Sequence, residues 1–155
     1  MSVRLVQARS IDDWRHARRL IEEYAASLDI DLSFQNFSQE LAHLASDYGP
    51  PMGCLLLAEE EGDYLGCVGL RQFSPGVGEV KRLYTVPAAR GRRVGRLLAD
   101  GIVAQARQLG YAQLLLDTLP SMQQAQALYV SMGFKETPAY RFNPVPGTVF
   151  LALTL

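Results

Sequence analysis

Leu83 to Leu98 has the sequence LYTVPAARGRRVGRLL, in which four arginines and two glycines separate a strand-like run from a helix-like run. The first backbone N–H groups of a helix have no acceptor inside the helix, and the helix dipole adds about half a positive charge there. Gly91 and Gly95 allow a ligand to approach the backbone closely, and arginines form forked hydrogen bonds with phosphate oxygens. The stretch therefore predicts an anion-binding helix start. The alternative is a helix start whose arginines face only water.

The distribution of charge favours a small anionic ligand. The net charge is only −1, but six of the fifteen Lys and Arg residues fall between Lys81 and Arg96, with no acid among them. Residues 1–63 carry twelve acids against five bases, and residues 64–155 carry four acids against ten bases. Because a nucleic-acid-binding domain is usually basic over a whole face, we expect no nucleic-acid partner. The phosphate-binding motifs GxxxxGK[ST] and GxGxxG do not occur in the stretch.

The composition is typical of a soluble globular protein, with 48% hydrophobic and 20% charged residues. The length suits one domain, which we assign to residues 1–155. No apolar run reaches the roughly 18 residues of a membrane span, and the N-terminus has no apolar signal region. We therefore expect a cytoplasmic protein with no membrane partner. Cys54 and Cys67 lie in strand-like stretches, and we expect both to be reduced core residues.

Hydrophobic periodicity predicts the element order β-α-α-β-β-β-α-β-α-β-β. Ser10 with Asp13 predicts the capped start of the first helix, and a second, shorter helix is predicted from about Phe37 to Ala45. The helix after the arginine-rich turn is expected to end at Gly110. Strands and helices are mixed along the chain. This predicts an α/β (α+β) fold with a mixed central sheet of about seven strands and helices on both faces.

Two motifs resemble those of the GNAT superfamily of N-acetyltransferases. Residues 90–95, RGRRVG, resemble the Q/R-x-x-G-x-G/A signature that joins a strand to an amphipathic helix in this family. Residues 125–134, AQALYVSMGF, resemble its A-x-x-x-Y-x-x-x-G-F segment. The fourth signature position, often Gly, is Arg93, for which we expect a helix-compatible backbone angle. Thr85 stands where the family strand commonly ends in Val or Ile. The resemblance spans at least residues 65–134.

The resemblance implies a splayed sheet and acetyl-CoA as the acetyl donor, with no metal. The pyrophosphate is expected on backbone N–H groups of the turn, and the pantetheine amides on the backbone of the preceding strand. The coenzyme-binding residues would be Leu83, Tyr84, Thr85, Arg90, Gly91, Arg92, Arg93, Val94, Gly95 and Arg96. The anion at the helix start would then be the phosphates of a coenzyme.

Acetyl transfer to an amine requires removal of a proton from an ammonium group, stabilisation of the thioester oxygen and protonation of the leaving thiolate. Tyr129 matches the family tyrosine and is the candidate acid; the alternative is a packed helix residue. Glu79 is the candidate base, because several relatives place a glutamate there; the alternative is an ion pair with Lys81 or Arg82. Strict alternation would put residues 79, 81, 83 and 85 on one face, unless a bulge intervenes.

Two further stretches commonly border the acceptor in this family. The first, SLDIDLSFQNF, offers Asp29, Asp31 and Phe34 for a cationic amine. The second, PAYRFNPVPG, offers Tyr140 and Arg141, and a guanidinium can bind a carboxylate in a forked pair. We therefore expect direct acetyl transfer to a primary amine of a small, amino-acid-like molecule, by a monomer or homodimer. The alternatives are a catalytically weak acyl-CoA sensor, acetylation of a protein amine, and loops that are merely solvated.

Overall fold

The computed structural model describes residues 2–28 and 36–155. The elements in chain order are β1 (Arg4–Gln7), α1 (Ile11–Ser27), α2 (Phe37–Ala42), α3 (Leu44–Asp47), β2 (Cys54–Glu60), β3 (Asp63–Ser74), β4 (Val77–Thr85), α4 (Val94–Gln108), β5 (Gln113–Thr118), α5 (Gln123–Ser131), β6 (Lys135–Glu136) and β7 (Val149–Thr154). The predicted α/β order is confirmed, with one difference. The second predicted helix is two short helices, α2 and α3, which meet at His43.

Seven strands form one mixed sheet in the order β1-β2-β3-β4-β5-β7-β6. Neighbouring strands are antiparallel except β4 and β5, which are parallel. The β4–β5 ladder runs from Val77 opposite Gln113 to Glu79 opposite Leu115, and goes no further among the described residues. The rest of β4, up to Thr85, thus has an open edge facing β5, and its backbone groups there need other partners. The expected splay of the sheet is confirmed.

Two apolar layers cover the sheet. We call one side the α4 face, where α4 and α5 pack on the strands, and the other the α1 face, where α1 and α3 pack. The α1 helix begins at a capping box in which Ser10 and Asp13 bond each other's backbone N–H groups. Cys54 and Cys67 are buried free thiols, as predicted. Among the described residues, no helix has the length and apolar character needed to cross a membrane.

A bulge in β4 changes which side chains share a face. Opposite a two-residue step on β3, β4 takes a three-residue step from Lys81 to Tyr84. Arg82, inside this step, lies in the left-handed region at φ +63°. Val80 and Leu83 consequently both pack on the α4 face, whereas Tyr84 packs on the α1 face. Strict alternation therefore fails from Leu83 onward, because one extra residue inverts the pattern.

Candidate functional site

A groove of about 710 Å³ lies between the open end of β4 and the N-terminal ends of α4 and α5. Its volume is within the range of about 300–1,000 Å³ that is usual for small-molecule sites. Eight of the ten predicted coenzyme-binding residues form part of its wall: Leu83, Tyr84, Thr85, Arg90, Gly91, Arg93, Val94 and Gly95. The structure thus brings the strand end and the glycine-arginine turn together in one cavity.

The start of α4 turns backbone donors toward this groove. Arg93 is the N-cap and lies at φ +60°, ψ +24°. It therefore has the left-handed conformation that glycine favours, and the expectation of a helix-compatible angle is wrong. Leu97 donates to the Arg93 carbonyl at 3.1 Å, so the N–H groups of Val94, Gly95 and Arg96 precede the hydrogen-bonded part of the helix. These three groups are available to an anion in the groove.

The four arginine side chains of the turn divide into two pairs. Arg90 and Arg93 line the groove. Arg92 instead donates two bonds to the Glu60 carboxylate, at 2.9 and 2.7 Å. Arg96 donates to Asp100 at 3.1 Å, one helical turn further along α4, and to Ser131 Oγ at 3.2 Å. The side chains of Arg92 and Arg96 are outside the described wall of the groove; Glu60 on β2 holds the first and Asp100 on α4 itself holds the second.

A small cavity of about 50 Å³ continues the groove through the gap between β4 and β5. We call it the passage. It shares Tyr24, Leu28, Leu83, Met122 and Ala125 with the groove. It also contacts Val80, Lys81, Arg82, Asp117, Thr118, Leu119, Tyr129 and Asn143. Since Tyr24 packs on the α1 face and Tyr129 on the α4 face, the passage connects the two sides of the sheet.

Comparison with known proteins identifies this architecture. The family model described as "Acetyltransferase (GNAT) family" matches residues 13–134. The chain belongs to the GNAT acetyltransferase family. An uncharacterized N-acetyltransferase of Schizosaccharomyces pombe is 42% identical over 147 residues, covering 94% of this chain and 88% of that protein. An IAA acetyltransferase of Azospirillum brasilense is 36% identical over 98 residues, covering 62% of this chain and 64% of the relative. A GNAT acetyltransferase structure from Staphylococcus aureus has the same fold, with a TM-score of 0.81 at 17% identity and 99% coverage of both chains.

Tyr129 lies on α5 against the passage of this GNAT domain. It is 6% exposed, and its ring packs edge-on to Phe134 at 5.3 Å between centroids. Burial raises the pKa of the Tyr129 phenol above its ordinary value. The phenol therefore keeps its proton at neutral pH. Nearby in the passage wall, the buried Thr118 Oγ1 has no hydrogen-bond partner among the described residues.

The candidate base Glu79 and the two predicted acceptor residues Tyr140 and Arg141 meet at one carboxylate. Glu79 is fully buried on β4. It accepts a hydrogen bond from Tyr140 Oη at 2.8 Å, one from Arg141 Nη2 at 2.7 Å and one from Arg71 Nε at 3.3 Å. Burial and the Glu79 charge raise the pKa of Tyr140. The predicted residues Asp29, Asp31 and Phe34 lie outside the described residues.

Two ionisable residues of the passage were not predicted as functional. Asp117, near the end of β5, accepts a bond from Asn143 Nδ2 at 3.3 Å and lines the passage. Lys81 is 5% exposed, and burial lowers its pKa to about 8 although the Glu79 charge opposes this. In the sequence, Asp117 follows the apolar run Leu114–Leu116, which is the signal that could have placed it at a strand end. Lys81 carries no such signal in the sequence.

Proposed function

We propose that this GNAT chain transfers an acetyl group from acetyl-CoA directly to the primary amine of a small molecule. The observation that carries the proposal is a continuous route along β4. The groove meets β4 at residues 83–85, and the passage meets it at residues 80–83. A long, thin thioester can lie in such a route with its phosphates outside and its reactive end in the gap of the sheet.

The residues of the groove fit acetyl-CoA as a substrate. The N–H groups of Val94, Gly95 and Arg96, with the Arg90 and Arg93 side chains nearby, suit the pyrophosphate. A Cβ added to Gly95 would meet only Thr85 Cγ2 among the described atoms, at 3.8 Å, so the space above the helix start is open. The unpaired edge of β4 suits the pantetheine amides, which would pair with it as an added strand.

Between the acceptor ammonium and the amide product the nitrogen loses two protons, and the leaving thiolate takes up one. Acetyl-CoA supplies an acyl carbon bonded to sulfur; in the reaction a C–N bond forms, the C–S bond breaks and a thiolate leaves. The conjugate acid of that thiolate has a pKa of about 8.5 by analogy with cysteine. The Tyr129 phenol, protonated and against the passage, is the proposed donor to the sulfur. A backbone N–H of the open β4 edge is the proposed donor to the acyl oxygen.

A carboxylate takes the proton of the acceptor ammonium in this proposal. Glu79 is the candidate from the sequence, and its oxygens already accept bonds from three side chains. Asp117 is the second candidate, and its described contact is one long bond from Asn143. The two candidates predict different variants to be inactive.

The proposal is tested by incubating the purified protein with acetyl-CoA and a panel of primary amines. Free thiol release is followed optically, and the acetylated amine is identified by mass spectrometry. We expect thiol release that depends on the amine and matches product one to one. Tight acetyl-CoA binding with no amine-dependent release would contradict the proposal and favour a sensor. Acetylation of proteins only, with no small amine accepted, would contradict the small-molecule part.

A further inference from the structure

A third cavity, which we call the chamber, has a volume of about 560 Å³ and lies beside the first half of β4. Its walls are the loop of residues 46–53, Arg71 and the two residues that follow it on β3, Glu79 on β4, and Arg141. Along β4 the chamber meets residue 79, the passage residues 80–83 and the groove residues 83–85. The three cavities therefore contact successive parts of β4, with the chamber at the end opposite the groove; the groove and the passage share lining residues, whereas the passage and the chamber share none.

Two arginines face the chamber with part of their hydrogen-bonding capacity in use. Arg71 donates through Nε to Glu79, and Arg141 donates through Nη2 to the same carboxylate. Their side chains are 25% and 23% exposed. Each guanidinium has five N–H donors, and among the described residues the hydrogen bonds of these two side chains use only those nitrogens. Both guanidinium groups can therefore donate hydrogen bonds to a further, anionic partner.

The charges behind the chamber wall are unequal. Arg82 is 3% exposed in its side chain and holds Glu40 through two bonds, at 2.7 and 3.0 Å. Arg71 Nη1 lies 3.9 Å from the same Glu40. Buried cations are costly unless carboxylates or other anions neutralise them. Among the ion pairs described in this cluster, three arginines share two carboxylates: Arg71, Arg82 and Arg141 with Glu40 and Glu79.

We propose that the chamber binds a carboxylate of the acceptor through Arg71 and Arg141. This inference rests on the proposed acetyl transfer, and it names the acceptor class. Asp47 on the loop wall of the chamber disfavours a polyanion and favours a single carboxylate. From Glu79 to Leu83, a fully extended strand of four residues would span about 13 Å, and the bulge at Arg82 shortens this distance. The acceptor amine in the passage and the carboxylate in the chamber are thus several bonds apart, as in a straight-chain amino acid with a terminal amine.

The test compares two probes of equal chain length, a straight-chain terminal amino acid and the alkylamine that lacks its carboxylate. Values of kcat and KM are measured for the wild type, Arg71→Lys, Arg71→Met and the control Arg107→Met, which removes an exposed arginine from α4. We expect the wild type to prefer the amino acid. In Arg71→Met, the ratio of kcat/KM for the amino acid to that for the alkylamine should fall at least about tenfold, through KM. Arg71→Lys should be intermediate, because it keeps the charge and loses the fork. The control should keep the wild-type ratio.

An unchanged ratio in Arg71→Met, or equal use of both probes by the wild type, overturns the inference while leaving acetyl transfer intact. Thermal melting and acetyl-CoA binding are measured for each variant, and Arg71→Lys carries the test if Arg71→Met does not fold. If the wild type acetylates neither probe, the proposed function fails instead. Binding of the amino acid, followed by ligand-observed NMR, then decides the chamber separately: binding that Arg71→Lys weakens supports it, and no binding overturns it.

Discussion

Replacing Gly95 with aspartate should affect the stability of α4 and the binding of acetyl-CoA in opposite directions. Gly95 is the second residue of α4, and an added Cβ would meet Thr85 Cγ2 at an ordinary contact distance of 3.8 Å. Glycine is about 0.5–1 kcal/mol less favourable than alanine in a helix. A carboxylate in the first turn also interacts favourably with the helix dipole, by about 0.3–1 kcal/mol. We therefore expect the folded state of Gly95→Asp to be as stable as the wild type or slightly more stable.

Coenzyme binding should instead weaken, because the new side chain points into the groove that Gly95 lines. A carboxylate about 5 Å from a doubly charged pyrophosphate raises its free energy by about 1.7 kcal/mol even at the dielectric constant of water. Salt lowers this value and the lower dielectric constant near a protein surface raises it. With the lost space added, about 2 kcal/mol is a reasonable total, which corresponds to roughly thirtyfold weaker binding. Gly95→Ala adds bulk without charge and should fall between the wild type and Gly95→Asp.

The assay is calorimetric titration with acetyl-CoA at two salt concentrations, beside thermal melting of the same samples. Ala104→Asp is the matched control: it adds the same charge to an exposed position of α4, nine residues or about 14 Å further along the helix, beyond one Debye length. The control should bind like the wild type, and the Gly95→Asp defect should shrink at high salt. Wild-type affinity in Gly95→Asp would show that the phosphates do not lie at this helix start.

Four other substitutions test residues in and beside the passage. Tyr129→Phe keeps the ring contact with Phe134 and should lower kcat about 10²-fold or more, with little change in melting; an unaltered kcat would remove Tyr129 from the mechanism. Glu79→Gln and Asp117→Asn each remove one candidate base. The variant that lacks the true base should lose about 10²–10⁴ in kcat, whereas a small effect of both substitutions would mean that neither carboxylate takes the proton. Burial lowers the pKa of Lys81 from 10.5 to about 8, so its charged form destabilises the fold below pH 8, and this cost disappears as the pH rises from 8 to 10.5. The stability of the wild type relative to Lys81→Met should therefore increase by up to about 1.4 kcal/mol per pH unit in that window, measured by urea unfolding; a difference independent of pH would contradict the lowered pKa.

The local parts of this structure could be predicted from the sequence because local residues determine them. The capping box of Ser10 and Asp13 and the apolar stripe of α4 both follow from residues three or four positions apart. The glycine-arginine turn is local in the same sense, and five of its predicted coenzyme residues line one groove together with three of β4. Arg93 shows that prediction from the sequence has a limit even within this turn. Its backbone is left-handed at the N-cap, a conformation that costs about 1–2 kcal/mol in a non-glycine residue.

The partners of the buried charges could not be predicted, because they come from elements distant in sequence. Glu40 and Arg82 are 42 residues apart, and Glu79 and Arg141 are 62 residues apart. The sequence offered Lys81 and Arg82 as ion-pair partners of Glu79, since they are its neighbours on one strand. The described partners are instead Arg71, opposite Glu79 on β3, and Arg141, from the segment before β7. Which charges meet depends on strand register and on the loop path, and neither is encoded in local periodicity.

The bulge at Arg82 links the two ends of the site. Without it, strict alternation would turn the Leu83 side chain to the α1 face with Lys81. With it, Leu83 packs on the α4 face and lines both the groove and the passage. The left-handed backbone of Arg82 costs about 1–2 kcal/mol in a non-glycine residue, and the forked ion pair with Glu40 offsets part of this cost. That pair also fixes α2 on the α1 face. Arg82 therefore shapes the strand edge proposed for the coenzyme, and it also anchors the charge cluster behind the chamber. A change in the Arg82–Glu40 pair should accordingly affect the binding of both proposed substrates together.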